Sequence, residues 1–126
     1  MPLVRISLRA GKPPEYVRAI ADAVYAAMRE SFAVPEDDRF MLIHQHAADE
    51  FVYDPGYLGI RRSDDLAIVQ ITANDTRTLE QKKAFYADAA RRLAESPGLR
   101  PEDVLISLVE VPKENWSFGL GLAQYA

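Results

Sequence analysis

Shifted by 65 residues, this chain repeats itself. Val4, Ile6 and Ser7 fall on Val69, Ile71 and Thr72, and Glu15, Ala19 and Met28 fall on Glu80, Ala84 and Leu93. Glu30-Ser31 falls on Glu95-Ser96, and after one inserted residue Pro35-Glu36-Asp37 falls on Pro101-Glu102-Asp103. Any one coincidence is cheap, but a common offset across 126 residues means that one supersecondary unit is written twice. A chain of this length suits one compact domain, residues 1–126, burying roughly two thirds of the surface that its unfolded form exposes.

Each half reads as strand, helix, strand. Residues 2–9 alternate Leu3, Arg5 and Ser7 with Val4, Ile6 and Leu8, the period of a strand. Gly11-Lys12-Pro13-Pro14 turns the chain, with proline suited to a first helical position. Val17, Ile20, Ala21, Val24, Ala27 and Met28 then recur at helical spacing, a stripe meant to face a sheet. Pro35-Glu36-Asp37 breaks that pattern, and residues 39–46 resume an extended one. The second half follows with Leu66–Ala73, a capping box in Thr78-Leu79-Glu80-Gln81, the stripe Phe85, Tyr86, Ala89, Ala90 and Leu93, a stop at Pro97-Gly98, and Val104–Val111.

The expected fold is therefore α/β (α+β), with repeats over about 2–46 and 66–111. Two β-α-β units would make a four-stranded mixed sheet with two helices on one face, since helical crossovers favour parallel, right-handed pairs. The other sheet face needs a cover, which association of subunits supplies most simply. Residues 47–64, with Tyr53-Asp54-Pro55-Gly56-Tyr57, read as a turn-rich connection that could form a short hairpin.

Composition closes several other routes. There is no cysteine, hence no disulfide framework, zinc–thiolate site or thiol nucleophile. The net charge of −4 lacks the basic stripe that neutralises phosphates, so a nucleic-acid partner is not expected. No apolar run approaches the roughly 20 residues that span a bilayer, and the start of the chain has no signal-peptide core. The expectation is a soluble, cytoplasmic protein; the excess of arginine over lysine hints at a GC-rich bacterial source.

Five positions carry the possible chemistry. Pro2 would become a secondary amine once Met1 is removed, at the head of a strand. Desolvation and nearby cations lower an amine's pKa, so such a group could act as a base near neutral pH; otherwise Pro2 merely begins a strand, where proline is tolerated. Arg77 follows the third strand, where open α/β sheets place ligands, and could hold a carboxylate bidentately, or simply be solvated. Asp38 ends Glu36-Asp37-Asp38-Arg39 and could orient water or accept a proton, or be a turn residue. With the inserted residue it aligns with Val104, a polar residue replacing an apolar one. Trp116 and Phe118, in the apolar tail, could wall a pocket, or belong to a hairpin packed on a neighbouring subunit. His44 and His46 share one face of the second strand, but no third metal ligand stands at diagnostic spacing. No metal and no cofactor are expected.

Taken together, Met1-Pro2-Leu3, the duplicated β-α-β unit, Val34-Pro35-x-x-Asp38-Arg39, Gln45-His46, Arg62-Ser63, Arg77 with Glu80-Gln81-Lys82, and Asn115-Trp116-Ser117-Phe118-Gly119 resemble the tautomerase superfamily, in its malonate semialdehyde decarboxylase-like branch. The resemblance implies a homotrimer with sites near subunit boundaries and an amino-terminal proline as the catalytic group. That proline works as a base in keto–enol tautomerisation, or as a cation in decarboxylation and hydration. Pro2 matches it, Asp38 matches the decarboxylases' catalytic aspartate, Arg77 matches one of two substrate-binding arginines, and Trp116 and Phe118 match a hydrophobic wall. The second arginine's position, two before Arg77, is here Asp75. At an effective dielectric near 20 a charge pair about 4 Å apart is worth roughly 4 kcal/mol, so this reversal bears on substrate.

The leading expectation is a tautomerase-like isomerase acting on a small 2-oxo or enol carboxylic acid. Neutral Pro2 would be the base, Arg77 the carboxylate holder and Asp38 an aid to proton transfer. The alternatives are a decarboxylase or hydratase of a 3-oxo acid using cationic Pro2, and a non-catalytic trimeric binding module. The position equivalent to Pro2 in the second half is Ala67, which is internal and has no free amine, so one active site per chain is expected.

Overall fold

A computed structural model describes residues 2–126. Its strands are β1 (Leu3–Arg9), β2 (Met41–His46), β3 (Ala67–Asn74) and β4 (Val104–Val111), and its helices are α1 (Pro14–Phe32) and α2 (Leu79–Glu95). The sheet order is β2-β1-β3-β4, with β1 and β2 parallel, β1 and β3 antiparallel, and β3 and β4 parallel. This is the mixed sheet that two β-α-β units produce.

Alternation decides the faces. Val4, Ile6 and Leu8 of β1 and Ala67, Val69, Ile71 and Ala73 of β3 are buried beneath the helices. From α1 the same core receives Val17, Ile20, Val24, Ala27 and Met28, and from α2 it receives Phe85, Ala89 and Leu93. The Phe32 and Phe85 rings stack at 4.6 Å where the two helices meet. On the opposite face Leu42, Leu105 and Val109 lie exposed among polar neighbours.

The helix ends follow the chemistry of the sequence. Pro13 is the N-cap of α1 and Pro14 occupies its first turn, where a missing N–H costs nothing. Thr78 caps α2: its hydroxyl accepts from the Gln81 N–H at 3.2 Å, and its own N–H donates to the Gln81 side chain at 2.8 Å. α2 ends at Ser96, whose N–H still donates to the Arg92 carbonyl but whose backbone is extended, as the residue before Pro97 prefers.

Three expectations are corrected. Residues 47–64 hold no hairpin; they form short 3₁₀ turns at Ala48–Glu50 and Tyr57–Gly59, because Pro55 and Gly56 interrupt any ladder. The tail forms no hairpin either, but a 3₁₀ turn at Lys113–Asn115 followed by turns. The inserted residue at Pro101 also disappears in the strands. Val4 pairs with Met41 and Val69 with Ile106, so Met41 corresponds to Ile106 at the same 65-residue offset. Asp38 therefore corresponds to Asp103, not Val104. The proline match belongs to loops of different shape, since α1 has 19 residues and α2 has 17.

Candidate active site

The strand directions gather the site. Leu3 pairs with Thr72 across antiparallel β1 and β3, so the start of β1 lies beside the end of β3. β2 runs with β1 and begins at the same end; β4 runs with β3 and finishes there. Pro2, Asp38 to Phe40, Asn74 to Arg77 and the segment after Val111 thus meet at one sheet end. The N–H of Asp75 donates to the carbonyl of Val111 and that of Val4 to Phe40, closing this end.

A cavity of about 220 Å³ opens there, lined by Pro2, Leu3, Phe40, Trp116, Ser117 and Phe118. Pro2 is buried. The Trp116 and Phe118 rings stack at 5.5 Å with 13° between planes, and Tyr125 meets Phe118 edge-on at 4.9 Å. Gln124 fixes the tail, accepting from the Phe118 N–H at 3.0 Å and donating to the Gly119 carbonyl at 2.9 Å. The indole N–H of Trp116 donates to Asn74 Oδ1 at 2.9 Å. This explains why Asn74, only 6% exposed, is tolerated at the end of an apolar strand.

Asp38 and Arg77, at the same end of the sheet, bear on each other electrostatically. Burial raises the Asp38 carboxyl above the usual aspartate range; Asp37 adds to this and Arg77 opposes it. Burial likewise lowers the guanidinium of Arg77, with Asp38, Tyr125 and Glu110 pulling the other way. Arg77 donates to the Phe32 carbonyl at 3.2 Å and lies 5.2 Å from that ring's centroid, which holds the guanidinium at the domain's rim. The loop carrying Asp38 is pinned to α1 on both sides. Arg39 pairs with Asp22 at 2.6 Å and covers the Tyr25 ring, and the Tyr25 hydroxyl donates to the Glu36 carbonyl.

The raised Asp38 carboxyl gives a stability prediction. Its folded-state pKa exceeds the unfolded one, so the ionised form opposes folding at neutral pH and the opposition fades as pH falls through that pKa. Asp38→Asn should raise the melting temperature at pH 7, with the gain shrinking to nothing near pH 3. Thermal melts at the two pH values check this; a lower melting temperature at pH 7 would mean that favourable partners dominate.

All five residues singled out in the sequence thus gather at this end of the sheet. Asp75 is exposed and supplies no cation. His44 and His46 lie elsewhere, on the helix-free face, with Arg5 Nη1 3.2 Å from His44 Nε2. Sequence reasoning missed Phe40, Asn74, Ser117 and Tyr125. Asn74 follows Ile68, Gln70 and Thr72 on the helix-free side of β3, so the strand's alternation carried no signal for it.

Models of tautomerase enzymes match residues 38–119 and 2–61. The chain is 43% identical to a probable tautomerase, YusQ, of Bacillus subtilis (strain 168), over 98% of both chains. A structure of malonate semialdehyde decarboxylase, from a set of wild-type, mutant and inactivated forms described with decarboxylase and hydratase activities, superposes with a TM-score of 0.92 at 32% identity, covering 98% of this chain and 95% of that one. A fused 4-OT symmetric trimer shares the fold with a TM-score of 0.78 at 24% identity, covering 98% of this chain and 97% of that one. A duplicated β-α-β sheet with these matches along almost its whole length leaves one conclusion: the chain belongs to the tautomerase family.

Proposed function

We propose that this enzyme tautomerises a small 2-oxo or enol carboxylic acid, with Pro2 as general base once Met1 has been removed. What carries the reading is the buried Pro2 lining an apolar cavity at the sheet end that also carries Asp38 and Arg77. The substrate carboxylate pairs with Arg77, whose planar fork suits two parallel hydrogen bonds. C3, the carbon next to the ketone, then faces Pro2, whose nitrogen takes its proton; the enolate oxygen at C2 develops charge in the field of Arg77. The proton returns at oxygen or carbon, with Asp38 as the second proton-handling group. Trp116 and Phe118 exclude water, which keeps the proline amine from being stabilised as a cation.

The chain would work as a homotrimer, a reading supported by the exposed apolar residues on its helix-free face and by the trimeric fused 4-OT. The site would then lie near a subunit boundary, with one site per chain. None of the described helices is long and apolar enough to cross a membrane.

A second reading, decarboxylation or hydration of a 3-oxo acid by cationic Pro2, is favoured by the likeness to malonate semialdehyde decarboxylase. Asp75 weighs against it, since an anion stands where that group carries a second arginine. The pH dependence of kcat/KM on an enol-pyruvate separates the two. Activity rising as the proline loses its proton supports the base; activity falling through the same ionisation overturns it in favour of the acid.

A further inference from the structure

The 65-residue repeat does not stop at the strands. The 3₁₀ turn Ala48–Glu50 after β2 corresponds residue for residue to Lys113–Asn115 after β4, and each leads into aromatics. Phe51 and Tyr53, with rings 6.1 Å apart, hold the positions of Trp116 and Phe118. At the end of the sheet opposite Pro2 there is a second cavity, of about 230 Å³. Four of its lining residues match four of the first at that offset: Ile68 for Leu3, Leu105 for Phe40, Val52 for Ser117 and Tyr53 for Phe118. The internal symmetry has kept the shape of a site.

Its chemistry has diverged. Ala67 stands for Pro2 but is an internal amide with no amine. Asp103 stands for Asp38 but is 1% exposed, and its oxygens accept from the N–H and hydroxyl of Ser63, each at 2.7 Å, with Arg100 3.4 Å away. No proton acceptor equivalent to those of the first site is left open. The cavity does contain a cation, Arg62. Its Nη1 donates to the carbonyls of Tyr57 and Ile60 at 2.9 and 3.3 Å, and among the described residues no carboxylate forms an ion pair with it. Asp54 also lines the cavity, but its Oδ1 is committed to the Gly56 N–H at 2.8 Å. The Tyr53 hydroxyl donates to Asp64 at 2.7 Å, so Tyr53 offers the cavity its ring.

We propose that this second pocket binds a small apolar carboxylic acid without transforming it, the carboxylate on Arg62 and the apolar body against Ile68, Leu105 and Tyr53. A guanidinium half-shielded at the mouth of an apolar cavity selects an anion with a hydrophobic body over a fully hydrated one. Binding here goes beyond the activity proposed for Pro2 and does not require it.

The test uses 4-fluorobenzoate as the probe, followed by ¹⁹F NMR titration of the full chain after modification with 3-bromopropiolate. The expected result is one saturable site per chain in the modified protein. Arg62→Met should weaken it at least tenfold and Val52→Trp, which crowds the cavity, should abolish it, while both variants in unmodified form retain normal turnover. Absence of saturable binding in the modified chain, as when a second copy fills the pocket, overturns the inference. So does binding that survives both substitutions. If 3-bromopropiolate does not react at Pro2, the proposed activity is in doubt, whereas the Arg62-dependent site is still read by repeating the titration on Arg77→Ala.

Discussion

Pro2→Ala should lower kcat/KM on an enol-pyruvate by about 10²- to 10⁴-fold, the usual worth of a positioned general base. The effect should appear mainly in kcat, because the proline nitrogen meets the substrate at the proton being moved and not at its carboxylate. Stability should change little: Pro2 precedes β1, and the first backbone bond at this end is made by Val4 to Phe40. Steady-state kinetics with a thermal melt check both halves. A variant that folds normally and keeps full activity would remove Pro2 from the chemistry.

Arg77→Ala should act on binding. A hydrogen bond to a charged group is worth about 1.5–3 kcal/mol, so KM should rise roughly 10- to 150-fold. Arg77→Lys should recover only part of this, keeping the charge but losing the planar fork. A second effect follows from charge. A nearby cation lowers an amine's pKa, so removing it should move the basic ionisation of the kcat/KM profile to higher pH. If KM and that ionisation both stay put, Arg77 is only the clamp on Phe32 that its hydrogen bond already makes it.

Much of this was legible in the sequence because the repeat constrains topology. Once each half is a β-α-β unit, the two ends of the sheet collect predictable segments, and Pro2, Asp38, Arg77, Trp116 and Phe118 belong to one of them. Period-2 alternation in β1 separated its two faces, and the capping box placed the start of α2. What failed did so for local reasons. The Pro-Glu-Asp match near residue 101 is a similarity of loops, and only the strand register reveals Asp103 as the partner of Asp38. The second pocket stayed hidden because Val52, Tyr53, Asp54, Tyr57 and Arg62 of its lining lie in a connection read as a hairpin. Asn74 and Tyr125 were missed because their roles depend on a tail that folds back with no periodic pattern, held by the Trp116 N–H on Asn74 and by two hydrogen bonds of the Gln124 side chain.

The central claim is that the chain's own proline nitrogen is the reactive group. Intact-mass measurement of the purified protein before and after 3-bromopropiolate tests it most directly, with peptide mapping to locate the adduct. The account predicts a mass lacking Met1, one adduct per chain, its site at Pro2, and loss of activity in proportion to labelling. A chain that keeps Met1, or that is labelled elsewhere while Pro2 stays free, would contradict it.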